Sequence, residues 1–196
     1  MSDVYLGRLP ILDTKQNVVA YELLFRADHH NKAIVANNSA ASANVIIETY
    51  GQLGIDNVIG KRRGFIKVDA QLLMHDSILL LPKKHVVLEI LRGVEITESI
   101  TQRCAFLKQK GYQLALSYTA QSSTHYDHIL SLVNIVKINV NELTSAHLIA
   151  VMKQLRRFPI LLLAEKVETQ ETAKHCISLN FQMLQGFFFT QPEVMS

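Results

Sequence analysis

The stretch ILLLAEKVET, residues 160–169, is an aliphatic run that breaks into charge at Glu165, Lys166 and Glu168. A run this short reads as a buried strand, and a carboxylate stands where it ends. HVVLEILRG, residues 85–93, repeats the arrangement, with Val86, Val87 and Leu88 leading to Glu89. One such strand is chance; several in one chain describe a site.

Working outward, the chain alternates strands and helices. VYLGRLPIL and VVAYELLFR read as two strands joined by the polar turn DTKQN, a hairpin. NSAASANVIIETYGQLG has Ala40, Ala43, Ile46 and Ile47 at helical spacing, with Asn38 or Ser39 as N-cap and Gly54 as stop. GFIKVD and HVVLEIL are strands. ITESITQRCAFLKQKG is a helix capped by Thr97 and stopped by Gly111. YQLALSY and NIVKINV are strands, SAHLIAVMKQLRR a helix, PILLLAEKV a strand, TQETAKHCISLN a helix and MLQGFFF a closing strand.

Strands separated by helices imply parallel strands with crossover helices. About eight of them point to a (β/α) barrel, which places its chemistry at the carboxyl ends of its strands. The alternative, an open doubly wound sheet, usually carries a glycine-rich first turn, which is missing. The chain is short against the ~250 residues of a full barrel, so some crossovers, notably near 119–134, are expected to be short or irregular. The polar residues at the strand ends are Glu22, Lys67, Glu89, Ser117, Lys137, Glu165 and Gln185. Closure would bring them to one rim, although a buried strand also ends in a polar residue that merely meets solvent.

Composition bounds the rest. With 196 residues, 48% of them hydrophobic, the chain fits one domain with a sizeable core. The net charge of +3 is mild, and the one basic run, GKRRG at 60–64, reads as a solvated turn rather than a nucleic-acid patch. Cys104 and Cys176 match no metal spacing, which fits a reduced, cytoplasmic setting. No apolar run reaches the ~18 residues of a membrane span, and MSDVYLGRLP lacks the pattern of a signal peptide.

The motifs resemble the EAL domains, the bacterial cyclic di-GMP phosphodiesterases. YELLFR, residues 21–26, resembles the motif that names them, with Glu22 and Arg26 in place and Leu23 where the alanine stands. LEILRG resembles the family's Leu-Glu-Leu-Thr-Glu strand end, VKIN its Lys-Ile-Asp, AEKVET its Ala-Glu-Gly-Val-Glu, and LQGFFFTQP its Gln-Gly-Tyr-x-Phe-Ser-x-Pro. The matches run in family order over nearly the whole chain, from about residue 5 to 192. The resemblance implies an EAL-type α/β fold, a (β/α)8-like barrel with an antiparallel first strand and some shortened crossovers. The Leu-Leu-Phe-Arg variant further resembles the branch in which an EAL domain precedes a modified HD domain of the HDOD type. On that reading residues 1–196 are one EAL-like domain that stops where such a partner would begin.

The family hydrolyses a phosphodiester with two divalent cations, usually Mg or Mn, which activate water and neutralise phosphate. Such hard cations need oxygen ligands. By resemblance Glu22, Glu89 and Glu165 match metal-ligand positions and Lys137 the lysine near the attacking water. Arg26, Glu168 and Gln185 match positions that hold the nucleotide or support the loops. Other positions depart. The ligand asparagine is Lys67, the consecutive aspartates are Ser117 and Tyr118, the aspartate of Lys-Ile-Asp is Asn139, the second glutamate of Leu-Glu-Leu-Thr-Glu is Arg92, and no Phe-Gly-Thr-Gly follows at 119–125. Asp69, two residues beyond Lys67 on the same strand face, becomes a ligand only if the register slips.

The expectation is a catalytically degenerate domain with no cofactor, acting as a signalling or protein-interaction module, with an HDOD domain or another EAL surface as partner. The alternatives are a phosphodiesterase with an altered metal site and a metal-independent cyclic di-GMP receptor. Lys67 is expected to extend into the barrel mouth and bridge two of the glutamates, with Lys137 bridging the third. Among bland features, His29 and His30 read as an exposed loop, the dispersed histidines as surface or capping residues, and the GFFFT aromatics as core at the closing strand. Ser117 with His125 or His128 lacks the glycine elbow of a nucleophile.

Overall fold

The structure is a computed structural model; it describes residues 5–26, 54–118, 126–190 and 193–195. The expected helix at 38–54, apart from Gly54, lies outside these residues, as do His29, His30 and His125.

Strands β1 (Tyr5–Asp13) and β2 (Val18–Arg26) form the expected antiparallel hairpin. The parallel strands are β3 (Arg63–Val68), β4 (Val86–Ile90), β5 (Gln113–Tyr118), β6 (Ile135–Asn139), β7 (Leu161–Glu165) and the short β8 (Met183–Leu184). The sheet runs β2-β3-β4-β5-β6-β7-β8-β1, and the β1–β2 pairing closes it into an eight-stranded barrel. The open-sheet alternative is thereby set aside. A ninth strand, β9 (Glu193–Met195), adds antiparallel to β1 at its Leu6–Arg8 end; the sequence reading did not anticipate it.

Among the described residues the helices are α1 (Ile55–Ile59), α2 (Ala70–Met74), α3 (Glu98–Gln109), α4 (Asp127–Leu130), α5 (Ser145–Leu155) and α6 (Gln170–Ser178). Thr97, Thr144 and Thr169 cap α3, α5 and α6, each accepting a backbone N–H. The crossover between β5 and β6 carries only the single turn α4 among its described residues.

The pleat sorts every strand into an inward and an outward set. Ile11, Ala20, Phe65, Val87, Ala115, Ile135, Leu163 and Met183, one from each barrel strand, fill the interior. The outward set, with Ile66, Leu88, Leu114, Val136 and Leu162, packs under the helices. The expected closing strand MLQGFFF ends early. After Leu184 the chain turns, because Gly186 lies against the backbone of Val167, where a Cβ would sit 2.1 Å from the Val167 oxygen. The Phe188 N–H then donates to that oxygen at 3.2 Å. Phe187 and Phe188 are exposed, not core; Phe189 packs against the core.

Candidate functional site at the barrel mouth

Two residues beyond the interior layer, each parallel strand points its next inward side chain at the mouth. From Ala20, Phe65, Val87, Ala115, Ile135, Leu163 and Met183 this step reaches Glu22, Lys67, Glu89, Ser117, Lys137, Glu165 and Gln185. The seven strand-end residues singled out from the sequence therefore share one layer. Register sets their neighbours: Lys67 stands beside Glu89, and Ser117 beside Lys137.

Lys137 is the centre of this layer. Its side chain is fully buried, and its ammonium donates to Glu22 Oε2, lies 3.2 Å from Glu89 Oε2 and 3.5 Å from Glu165 Oε2. Burial works against the lysine charge, but Glu89, Glu22 and Glu165 outweigh it and raise the pKa. Lys67, on the solvent side, takes the other oxygen of Glu22 at 2.6 Å. Burial would lift the Glu22 carboxyl, but Lys137 and Lys67 hold it at about 2. Ser117 donates to Glu89 Oε1 at 2.8 Å.

A second group closes the rim. Arg92 grips Glu142 with 2.6 and 2.8 Å bonds and reaches Glu165 Oε1 at 2.9 Å. The bonds to Glu142 chiefly raise the Arg92 pKa. Asn139 stands beside Glu165 in the β6–β7 register and joins this rim group: its amide donates to Glu142 at 2.8 Å, and its oxygen caps the 3-10 turn Val140–Glu142. Glu142 was missed in the sequence. Its signal is local, an acid three residues after a strand-end asparagine, but its partner Arg92 lies 50 positions away.

The expected bridging pattern is reversed. Lys137 spans three carboxylates and Lys67 pairs with one, because Lys137 rises from a fully buried strand while the Lys67 side chain is 42% exposed. Tyr118 does not reach the mouth. Its parity is opposite to that of Ser117, so its ring packs in the outer core and meets Tyr126 edge-on. Asp69 caps α2, accepting from Leu72 N at 2.8 Å. Arg26 ends β2, but its side chain lies outside the described residues. His75 serves as a cap, accepting from Ser77 N. Cys104 and Cys176 are buried, and burial pushes their thiols up to about 12 and about 11, away from the thiolate form.

Above the ionic layer is a cavity of about 240 Å³, lined by Glu22, Lys67, Glu165, Glu168, Gln185 and Phe187 among others. Gln185 is 2% exposed, and its buried Nε2 finds no acceptor among the described residues. The mouth thus offers an ammonium, an amide donor and an aromatic face.

The profile of the EAL domain family matches residues 9–192. The chain is 31% identical over its whole length to the cyclic di-GMP phosphodiesterase CdgJ of Vibrio cholerae, covering 46% of that protein. It is 30% identical over 98% of its length to YuxH of Bacillus subtilis, an uncharacterised protein of which it covers 48%. The chain spans about half the length of these curated relatives. Among solved structures, Bacillus subtilis YkuI, a protein with an EAL domain in complex with substrate c-di-GMP and calcium, superposes with a TM-score of 0.80 at 22% identity. The match covers 99% of this chain and 56% of that one. The EAL domain of Mycobacterium smegmatis DcpA superposes with a TM-score of 0.77 at 24% identity, over 97% of this chain and 93% of that one. At these identities the structures speak for the fold.

Proposed function

This chain belongs to the EAL domain family, and on that premise we propose that it is a catalytically degenerate member, a bacterial signal-transduction and protein-interaction module rather than a phosphodiesterase. The observation that carries the reading is the Lys137 ammonium among Glu22, Glu89 and Glu165, with Lys67 and Arg92 on the remaining oxygens of Glu22 and Glu165. Two divalent cations need a surplus of free carboxylates. In this mouth each of the three glutamates already has a cationic partner from the chain itself. Ser117 brings a hydroxyl where the resemblance calls for a carboxylate, and Tyr118 faces away. The residues present do not suit a pair of Mg or Mn ions.

A second reading, a metal-independent receptor for cyclic di-GMP, is favoured by the mouth cavity. Lys67 and the Gln185 amide, which has no acceptor among the described residues, would meet phosphate or base edge, with Glu168 and Phe187 beside them. Vestigial catalytic positions in either reading are Glu22, Glu89, Lys137 and Glu165. The YELLFR motif makes an HDOD domain the first partner class to test, another EAL domain the second, and a cytoplasmic setting goes with both.

Calorimetry with cyclic di-GMP, with and without Mg or Mn, separates these readings when paired with a hydrolysis assay. The degenerate module neither binds nor cleaves, and the receptor binds equally in EDTA. Metal-dependent turnover that Glu22→Ala abolishes would overturn both.

A further inference from the structure

The face opposite the mouth, where the parallel strands begin, has a chemistry of its own. Lys61 and Arg62 precede β3, Lys83 and Lys84 precede β4, Lys110 precedes β5 and Arg157 precedes β7, and all six are exposed. Their loops are tied together around the base of the barrel. Arg62 Nε donates to the Val18 carbonyl at 2.6 Å, Arg63 Nε to that of Lys84 at 3.2 Å, and Lys83 Nζ to that of Lys110 at 3.0 Å. These bonds hold the cationic segments side by side. Three acids are described nearby: Asp76 pairs with Arg103 at 3.1 Å, Asp127 pairs with Arg157 of this same face at 3.5 Å, and Asp13 keeps its charge while accepting from Asn17, so the face stays cationic through its lysines and Arg62.

Large apolar side chains stand exposed on the same face. Leu80 is 71% exposed at the end of the 3-10 turn Asp76–Leu80. The Tyr112 hydroxyl pins that turn to the base, its single proton shared between the carbonyls of Leu79 and Leu81 at 3.0 and 2.9 Å. Leu161 opens β7 and is 48% exposed. It lies two residues before the interior Leu163 and shares its inward parity, so it faces out of the barrel floor.

Scattered exposed leucines need no explanation. Leucines set among a ring of lysines and arginines are different, because that mixture is what an interfacial surface requires. Basic groups draw the face to anionic headgroups within a Debye length, and the apolar side chains then leave water at the headgroup boundary. A nucleic-acid surface would reward stacking aromatics instead, and leucines gain nothing against a phosphodiester backbone. We infer that the base of this barrel is a peripheral docking surface for an anionic lipid bilayer, with Leu80 and Leu161 entering the headgroup boundary and the mouth turned toward solution. The inference is independent of the reading of the mouth.

The chain contains no tryptophan, so a Leu80→Trp variant is a single-site reporter. On phosphatidylcholine vesicles carrying roughly a third phosphatidylserine, its emission moves to shorter wavelength and is shielded from iodide; on phosphatidylcholine alone neither happens. Sedimentation of the unmodified chain with the two vesicle types shows at least tenfold stronger binding to the anionic one at about 0.15 M salt. Lys84→Glu weakens that binding by at least about fivefold, while Lys174→Glu on α6 changes it less than about twofold. Equal binding to both vesicle types, a reporter emission that stays quenchable on anionic vesicles, or duplex DNA bound at lower concentration than vesicles would each overturn the inference.

Discussion

Lys137 and Lys67 sit 70 positions apart in sequence, yet both end on Glu22. They are not equivalent. Removing Lys137 leaves Glu22 and Glu89 buried, with Lys67 on one and Ser117 on the other, so Lys137→Met is expected to cost about 3–5 kcal/mol in urea unfolding. Lys67→Met removes a half-solvated partner while Lys137 stays, and is expected to cost only about 1 kcal/mol or less. Equal losses from the two variants would contradict the assignment of the buried role to Lys137. The pH dependence follows from the same contacts. The Glu22 pKa falls from 4.5 to about 2 on folding. Its contribution, on the order of a few kcal/mol, is therefore fully present above about pH 4.5 and is lost as the pH falls toward 2. Denaturant midpoints should hold from pH 6 to about 4.5 and fall from there to 2.5, and a Glu22→Gln variant should flatten that fall. Lys137 acts at the other end: its raised pKa contributes stability below its ordinary value, which is lost only as the pH rises through the folded one.

At the scale of elements, the turn after β8 decides the shape of the mouth. Gly186 accepts no side chain, since an added Cβ would sit 2.1–2.6 Å from three backbone atoms of Val167. Gly186→Ala must push the β8 turn off the loop after β7, which carries Glu168. The expected loss is roughly 2 kcal/mol or more, read as a lower melting temperature, together with displaced resonances for Gln185 and Phe187. The caps behave more simply. Thr97 accepts from Ile100 N at 3.3 Å at the start of α3, and Thr97→Ala is expected to cost about 1 kcal/mol. Helices α3, α5 and α6 and the Thr97 cap were readable because both depend on neighbours within four residues, whereas the short helices α1, α2 and α4 are too brief to show a helical period and were not read. The closing strand was misread because three phenylalanines in a row resemble a strand, while the contact that turns them, Gly186 on Val167, comes from another segment.

At the scale of the molecule, the two ends of the barrel differ in charge, with glutamates matched by lysines and Arg92 at the mouth and exposed cationic segments at the base. Adding millimolar Mg or Mn is expected to leave the melting temperature within about 1 °C of its value in EDTA, because a ligand stabilises only by binding the folded state. A rise of several degrees would restore the enzyme reading. What the sequence determined by itself was the alternation of strands and helices, hence a barrel, and the parity of each strand, hence which residue of each pair looks inward. Period-two patterning is local chemistry, so Glu22, Lys67, Glu89, Ser117, Lys137, Glu165 and Gln185 could be assigned to one rim before any coordinates. Only the tertiary structure decided who pairs with whom. Lys137, not Lys67, became the buried bridge; Arg92 found Glu142; and β9 joined β1. Those outcomes depend on depth in the barrel and on distances between strands far apart in the chain. Burial and closure set these, and no stretch of residues carries them alone.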